Sequence, residues 1–175
     1  MTTDTEVDVA HPGPADADEF ITAVLDSKSA LLPWVDPADD PQRFAAYLDR
    51  AARENCECFL VRHRECGALV GFVNINNVMR GALQSGHLGY GGFASHGGKG
   101  LMTAAVRAVV AVAFGGLGLH RLEANIQPGN ERSIALVRRL GFWREGFSPS
   151  YLMVDGQWRD HERWAITAER QAGSR

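Results

Sequence analysis

The sequence lacks any apolar run near the roughly 20 residues that a membrane-crossing helix needs. It also lacks a basic stretch followed by an apolar one at its start, so no secretory leader and no membrane partner is expected. Cysteine is scarce: Cys56, Cys58 and Cys66 are an odd number, which argues against a disulfide framework and fits a cytoplasmic location. Excess charge is missing too. A net charge of −3 draws the chain as a whole neither to nucleic acid nor to anionic lipid. The acid gathers early, in Asp4, Glu6, Asp8, Asp16, Asp18 and Glu19. Arg132, Arg138, Arg139 and Arg144 form a local basic stretch that suits a small phosphorylated ligand better than a long polyanion. What is present is an ordinary globular balance, 45% apolar and 22% charged in 175 residues, enough for one core. A single domain over residues 1–175 is expected, loosely ordered at 1–14 and 169–175.

The cysteines lie near His63, which raises a metal site. In a strand Cys56 and Cys58 share one face while His63 points to the other, and the spacing matches no zinc pattern. No metal is expected.

Residues 1–14 form either a frayed lead-in or an edge strand. Asp16-Ala-Asp18 can cap a helix through Phe20, Ile21, Val24 and Leu25, which follow the helical period. Pro33 interrupts. Asp40 caps a second helix with Pro41 at its first position, burying Phe44, Leu48 and Ala51. Two β runs follow, Cys58–His63 and Ala68–Ile75, joined by a hairpin-length turn. A third strand fits Ser85–Phe93. Its glycines at 86, 89, 91 and 92 mark a bulge or a ligand's close approach. A helix spans about Gly98–Phe114 with Met102, Ala105, Val106, Val109 and Ala113 inward. Arg121–Ile126 reads as a strand. Asn130 caps a helix that Gly141 ends. Phe142–Phe147, Tyr151–Val154 and Gln157–Thr167 close the chain as strands, the last two joined at Asp155-Gly156.

The most informative segment is Phe93-Ala-Ser-His-Gly-Gly-Lys-Gly-Leu-Met-Thr103. It sets a glycine-rich turn between a strand and a helix. A helix's first turn has unpaired N–H groups and the positive end of its dipole, so it binds anions. Gly97, Gly98 and Gly100 let a phosphate reach the backbone, and Lys99 can add charge. The same turn would also serve merely to join two elements. A P-loop is excluded, because Phe93 stands at its first glycine and Gly100 follows Lys99 in place of Ser or Thr. The dinucleotide fingerprint is excluded by spacing and by the antiparallel strands before the turn.

The segment Gly98-Lys-Gly-Leu-Met-Thr-Ala-Ala-Val106 resembles the coenzyme A pyrophosphate loop of GNAT acetyltransferases. Arg121-Leu-Glu-Ala-Asn-Ile-Gln-Pro-Gly-Asn-Glu-Arg-Ser133, running on to Gly141-Phe142 and Arg144-Glu-Gly146, is a second similar block. Tyr151-Leu-Met-Val-Asp-Gly-Gln-Trp-Arg-Asp-His161 is a third. In order and spacing the three resemble the RimJ/RimL-like branch, the ribosomal-protein N-acetyltransferases, from Asp16 to Ile166.

The resemblance implies the GNAT fold, a mixed α+β architecture. Its mostly antiparallel sheet has helices on both faces and splays where Ser85–Phe93 meets Arg121–Ile126. It implies acetyl-CoA as co-substrate and direct transfer of acetyl to an amine, either a protein or peptide N-terminus or a small molecule. Phe93 and Ala94 would offer backbone to the pantetheine arm. Ser95, His96, Gly97, Gly98, Lys99, Gly100, Leu101, Met102 and Thr103 would surround the pyrophosphate, Asn130 would lie beside the arm, and Ser133 would protonate the departing thiolate. A backbone N–H of the third strand would steady the oxyanion. Three positions depart from the family pattern: Ser95 replaces a loop Gln or Arg, Ala104 a Glu, and Ser150 a proposed base. Glu123, His87, His161 or a water chain remain as bases, with Glu123 the candidate put forward beside Ser133.

Each residue also has a plainer reading. Glu123 would pair with an arginine, His161 would face solvent, and Asn130 and Ser133 would only cap a helix. Trp34, Tyr90, Ser150 and Tyr151 are candidate acceptor contacts, with the aromatics equally placed for a core. The alternative function is a non-catalytic acyl-CoA-binding module on the same fold. Edge pairing through the terminal hairpin would give a homodimer.

Overall fold

The computed structural model describes residues 6–172. Seven strands form one sheet in the order β1-β2-β3-β4-β5-β7-β6. They are β1 Val7–Ala10, β2 Glu57–His63, β3 Leu69–Met79, β4 Ser85–Gly92, β5 Arg121–Ile126, β6 Trp143–Val154 and β7 Gln157–Thr167. Every neighbouring pair is antiparallel except β4 and β5. The helices are α1 Ala17–Asp26, α2 Lys28–Leu31, α3 Pro41–Ala51, α4 Leu101–Ala111, α5 Glu131–Arg139 and α6 Ala168–Ala172.

Alternation along the strands divides the core in two. In β2, Cys58 and Leu60 join Phe20, Val24, Leu31, Phe44 and Tyr47 under α1, α2 and α3. Phe59 and Val61 face the other way, toward Val106 and Val109 of α4 and Val137 of α5. Helices therefore cover both faces, as expected. The first cluster centres on Phe20, which is 1% exposed. Its ring lies 5.2 Å from Phe44, 5.7 Å from Tyr47 and 5.8 Å from both Phe72 and Phe93, centroid to centroid.

Several expectations need correction. The expectation of loose order at 1–14 gives way over Val7–Ala10 to its alternative, an edge strand, β1, which pairs from Val7↔His63 to Ala10↔Leu60. Val7 is buried there and Val9, on the same face, packs half-buried against the same core, so two apolar anchors hold the edge strand on the sheet. The tail likewise continues as α6 through residue 172; the rest of it, like residues 1–5, lies outside the described residues. The buried residues of α3 are Phe44 and Tyr47, while Leu48 and Ala51 are only half-buried, because the helix is rolled toward the sheet on its tyrosine. The two closing runs before Asp155 form one strand, β6, bent by register shifts around Ser148–Leu152.

The glycines of β4 answer to the protein's own packing. A Cβ at Gly86 would stand 2.5 Å from Ile75 Cγ2, at Gly91 2.8 Å from the Phe72 ring, and at Gly92 2.8 Å from Met102 Cγ. These contacts are far inside normal separation, so side chains from neighbouring elements already fill the space.

Phe20→Ala should cost about 3–5 kcal/mol, the range for a fully buried aromatic. Urea unfolding followed by tryptophan fluorescence measures it.

Candidate active site

The parallel pairing of β4 with β5 runs only from Ser85↔Arg121 to Leu88↔Ala124. Beyond it β4 continues to Gly92 and β5 to Ile126 with no rung between them, so the sheet parts as expected. A cleft of about 960 Å³ occupies the parting.

Which backbone groups face that cleft follows from the ladder. Phe93 N–H donates to Val70 O at 2.8 Å. In an antiparallel ladder such bonded positions recur at every second residue. Gly91 and Gly89 therefore bond to β3, while Tyr90 and Gly92 turn their N–H and C=O toward the opening. This corrects the expectation for Phe93 and Ala94. The Phe93 amide is spent on Val70, and the Ala94 amide donates to the buried Ser27 Oγ at 2.9 Å. Both residues line the cleft, but the free backbone donors sit upstream of them.

At one end of the cleft lies the glycine turn. Gly98 (φ 79°) and Gly100 (φ 78°) adopt left-handed backbone, which a side chain would strain. No atom crowds a Cβ at either position, so conformation is what calls for glycine there. The first amide that closes the α4 ladder is Ala104 N–H, on Gly100 O at 3.1 Å. The amides of Leu101, Met102 and Thr103 precede it and have no intrahelical acceptor. His96, Gly97, Gly98, Gly100, Leu101, Met102 and Thr103 line this end; Ser95 and Lys99 do not. Burial lowers the His96 pKa, with Lys99's charge adding to the effect.

The facing wall comes from α5. Asn130 caps it, its Oδ1 accepting from Ser133 N–H at 3.2 Å. Ser133 Oγ lies 2.6 Å from Tyr90 Oη, joining the two sides of the parting. Burial pushes the Tyr90 phenol up to about 12, so it stays protonated at neutral pH. The basic stretch resolves into two roles. Arg132 and Arg139 line the cleft. Arg138 lies over the Trp164 ring and Arg144 pairs with Glu162 at 3.3 Å.

Trp34 also lines the cleft, between α2 and α3 and close to Gly129. Glu123 is not brought to the wall. Its carboxylate accepts from Arg121 Nε at 2.8 Å and lies 3.4 Å from His87 Nε2. Ser150 is exposed, its N–H on Asp160 Oδ1 at 2.8 Å. Tyr151 stands outside the cleft, edge-on to His161. His161 itself overturns the solvent-facing reading. It is 2% exposed, lines the cleft, and its Nδ1 meets Arg159 O at 2.9 Å. Burial lowers its pKa, so the imidazole is neutral.

Asn125 and Gln127 line the cleft as well. Asn125 Oδ1 is buried with no partner among the described residues, and Gln127 Nε2 donates to Pro33 O at 2.8 Å. Their signal in sequence was the odd-numbered polar face of β5. Among the described residues no Asp or Glu lines the cleft, no group of three His, Cys, Asp or Glu is placed to hold a metal, and no helix is long and apolar enough to cross a membrane.

Residues 9–143 match the model of the acetyltransferase (GNAT) domain. The chain is 37% identical over 125 residues to a probable N-acetyltransferase, YjcK, of Bacillus subtilis, covering 71% of this chain and 69% of that one. It is 42% identical over 99 residues to the ribosomal protein uS5-alanine N-acetyltransferase of Escherichia coli. That match covers 57% of this chain and spans about half, 51%, of the relative. The structure of Mycobacterium smegmatis RimJ in complex with CoA-disulfide superposes with a TM-score of 0.85 at 33% identity, over 93% of this chain and 82% of that one. The chain belongs to the GNAT acetyltransferase family, in its RimJ/RimL-like branch.

Proposed function

We propose that the chain transfers acetyl from acetyl-CoA directly to the α-amine at the N-terminus of a protein or peptide, or to a small amine of similar basicity. The observation that carries this reading is the Tyr90–Ser133 hydrogen bond across the parted strands, 2.6 Å long, with the unpaired amides of α4 at the same cleft's other end. The α4 amides and the left-handed turn hold the pyrophosphate, and Arg132 and Arg139 add positive charge. The pantetheine arm runs along Tyr90 and Gly92, taking up the Tyr90 C=O and the Gly92 backbone groups as an added strand would and leaving the Tyr90 N–H for the acyl oxygen. Asn130 fixes the start of α5 and so the position of Ser133.

The amine attacks the thioester carbonyl. The Tyr90 N–H, aimed into the parting, stabilises the developing oxyanion. The carbon–sulfur bond breaks, and Ser133 Oγ–H protonates the thiolate while the Tyr90 phenol re-supplies the serine; water carries the proton shed by the amine back to Tyr90, so both hydroxyls end the cycle protonated. Ser133 thus acts as general acid, and a role limited to binding the cofactor leaves this pair unused.

The base assigned from the sequence, Glu123, is withdrawn, because Arg121 and His87 already hold its carboxylate away from the wall. With no carboxylate on the cleft wall among the described residues and only neutral imidazoles such as His161 there, an acceptor that sheds its proton easily is favoured. An α-amine does so near pH 8, whereas a lysine side chain holds its proton to about 10.4. That difference favours α-amines, with water in the cleft mouth taking the proton.

Calorimetry should show coenzyme A binding to the wild type. Ser133→Ala should lower kcat on the order of 10²-fold, the scale of one general acid, with coenzyme A affinity nearly unchanged. An unaltered rate removes Ser133 from the mechanism, and no coenzyme A binding removes the whole reading.

The rate with an alanine-initiated peptide should rise with pH, reach half its limit at about pH 8 and level off at about pH 9. A peptide whose only free amine is a lysine side chain should react poorly at pH 7 and still be gaining at pH 9. Thiol release measured across that range decides between the two.

The homodimer also belongs to this reading. β6 is an edge strand, and Phe147, Leu152, Met153 and Trp158 are exposed on its hairpin with β7. A second copy pairing there would cover them. Sedimentation should give twice the 19.1 kDa chain mass, and Met153→Glu should return it to the monomer.

A further inference from the structure

A second compartment, about 340 Å³, lies beside the cleft on the face covered by α1, α2 and α3. It shares Val35, Gly89 and Tyr90 with the cleft. Gly89 is the first β4 residue beyond the last β4–β5 rung, so the two spaces meet at the apex of the parting. That is where the Tyr90–Ser133 pair sets the reacting thioester. The cofactor's length runs from this apex toward α4. An acceptor must therefore extend the other way, and this compartment is built into the wall on that side. Its volume falls at the small end of the usual range for ligand sites, about 300–1,000 Å³.

The charges in its wall do not cancel. Arg43 is held by Asp36 at 3.0 Å and Asp39 at 2.5 Å, and Asp39 also meets Lys28 at 3.2 Å. Asp36 and Arg43, which line the compartment, offset each other, and Asp39 and Lys28, outside its lining, do the same. Arg50 is left over, in no ion pair among the described residues. Its guanidinium lies over the Tyr47 ring, 5.3 Å from the centroid. The ring is fixed in turn, because Tyr47 Oη donates to the buried Asn74 Oδ1 at 2.9 Å. The Cys58 thiol is the other polar neighbour of Arg50, and since a guanidinium has about five N–H donors, stacking on an aromatic face and one thiol contact still leave an edge that can take a carboxylate with two bonds. Stacking also reduces the freedom lost when it does so.

We propose that this compartment receives the residues that follow the reacting amine, and that Arg50 makes it favour peptide N-termini with an acidic side chain next to that amine. The proposal rests on the acetyl-transfer reading for the direction in which the acceptor extends. It also predicts that polycationic acceptors are disfavoured, since each would bring like charge to Arg50.

The test uses the full chain loaded with coenzyme A and three peptides, Ala-Xaa-Xaa-Tyr-Gly, in which both variable residues are Glu, Gln or Lys. Each carries a fluorophore at its C-terminus, and binding is read by anisotropy at low ionic strength. Wild type should bind the Glu peptide about tenfold more tightly than the Lys peptide, with Gln between, and added KCl should narrow the gap. Arg50→Gln should erase the order and Arg50→Glu should invert it, with coenzyme A affinity reporting that each variant is folded. Equal binding of the three peptides, no binding of any, or an order that survives Arg50→Glu overturns the proposal. Thiol release from acetyl-CoA with the Gln peptide separates the two readings. Transfer without Glu preference sinks the subsite alone. An Arg50-dependent Glu preference without transfer sinks the enzymatic reading and leaves a peptide-binding site.

Discussion

Two strands that begin as partners and then separate set the terms for the rest of the molecule. Up to Leu88↔Ala124, β4 and β5 satisfy each other's backbone. Past that rung the inward N–H and C=O groups of Tyr90 and Gly92 have no strand opposite them. A buried backbone group left unpaired is expensive, commonly about 1–3 kcal/mol, so such an edge persists only where water or a ligand can reach it. The cleft is that access. The packing on either side keeps the strands from closing. Leu136 and Val137 dock α5 against one face, and Gln127 ties the end of β5 to Pro33 between α2 and α3. The parting is thus held from above and below while its interior stays open.

The electrostatics follow the same division. At the α4 end everything is arranged for an anion: unpaired amides, a turn whose glycines permit its shape, and Arg132 and Arg139 from α5. At the apex the groups are neutral. Tyr90 keeps its proton because burial raises its pKa, and farther along the cleft wall His161 stays uncharged because burial lowers its own. An uncharged apex suits a reaction in which a neutral amine meets a neutral thioester and charge appears only as they combine, since prearranged dipoles then stabilise the new charge without first having to reorganise. A fixed carboxylate there would hold the amine as an ammonium ion, which cannot attack.

Much of this was legible in the residues. Strands β2 and β3 stand out as apolar, β-branched runs and β5 alternates along its length, Asp40-Pro41 opens α3 with the Asp40 side chain on Arg43 N–H at 2.8 Å, and a glycine turn precedes α4. What stayed hidden depends on contacts across the chain. That Phe93 and Ala94 have spent their amides could not be seen, because the partners, Val70 and Ser27, are remote in sequence. Glu123 read as a base because position alone cannot show that Arg121 and His87 reach it first. Tyr47 gave no hint of burial, since its one-turn spacing from Phe44 is equally that of a half-exposed helix flank; only Asn74, 27 residues away, supplies the buried partner for its hydroxyl. The short α2 escaped because four residues between two other elements carry no period to detect.

The glycines of β4 show how one composition can mislead about cause and still point to the right place. Gly91 and Gly92 read as room for a ligand, yet the atoms that require them are Phe72, Leu31 and Met102. These side chains come from both faces of the sheet. They lie against β4 because no Cβ holds them off, and they fix that strand against β3 and α4 along its last turns. A strand so clamped cannot twist across to meet β5. The rigidity that glycine usually removes is here supplied by its neighbours, and that rigidity keeps Tyr90 and Gly92 facing an open gap. A larger residue at 91 or 92 would therefore do its harm by loosening the strand that lines the cleft, and ligand access would suffer only as a consequence.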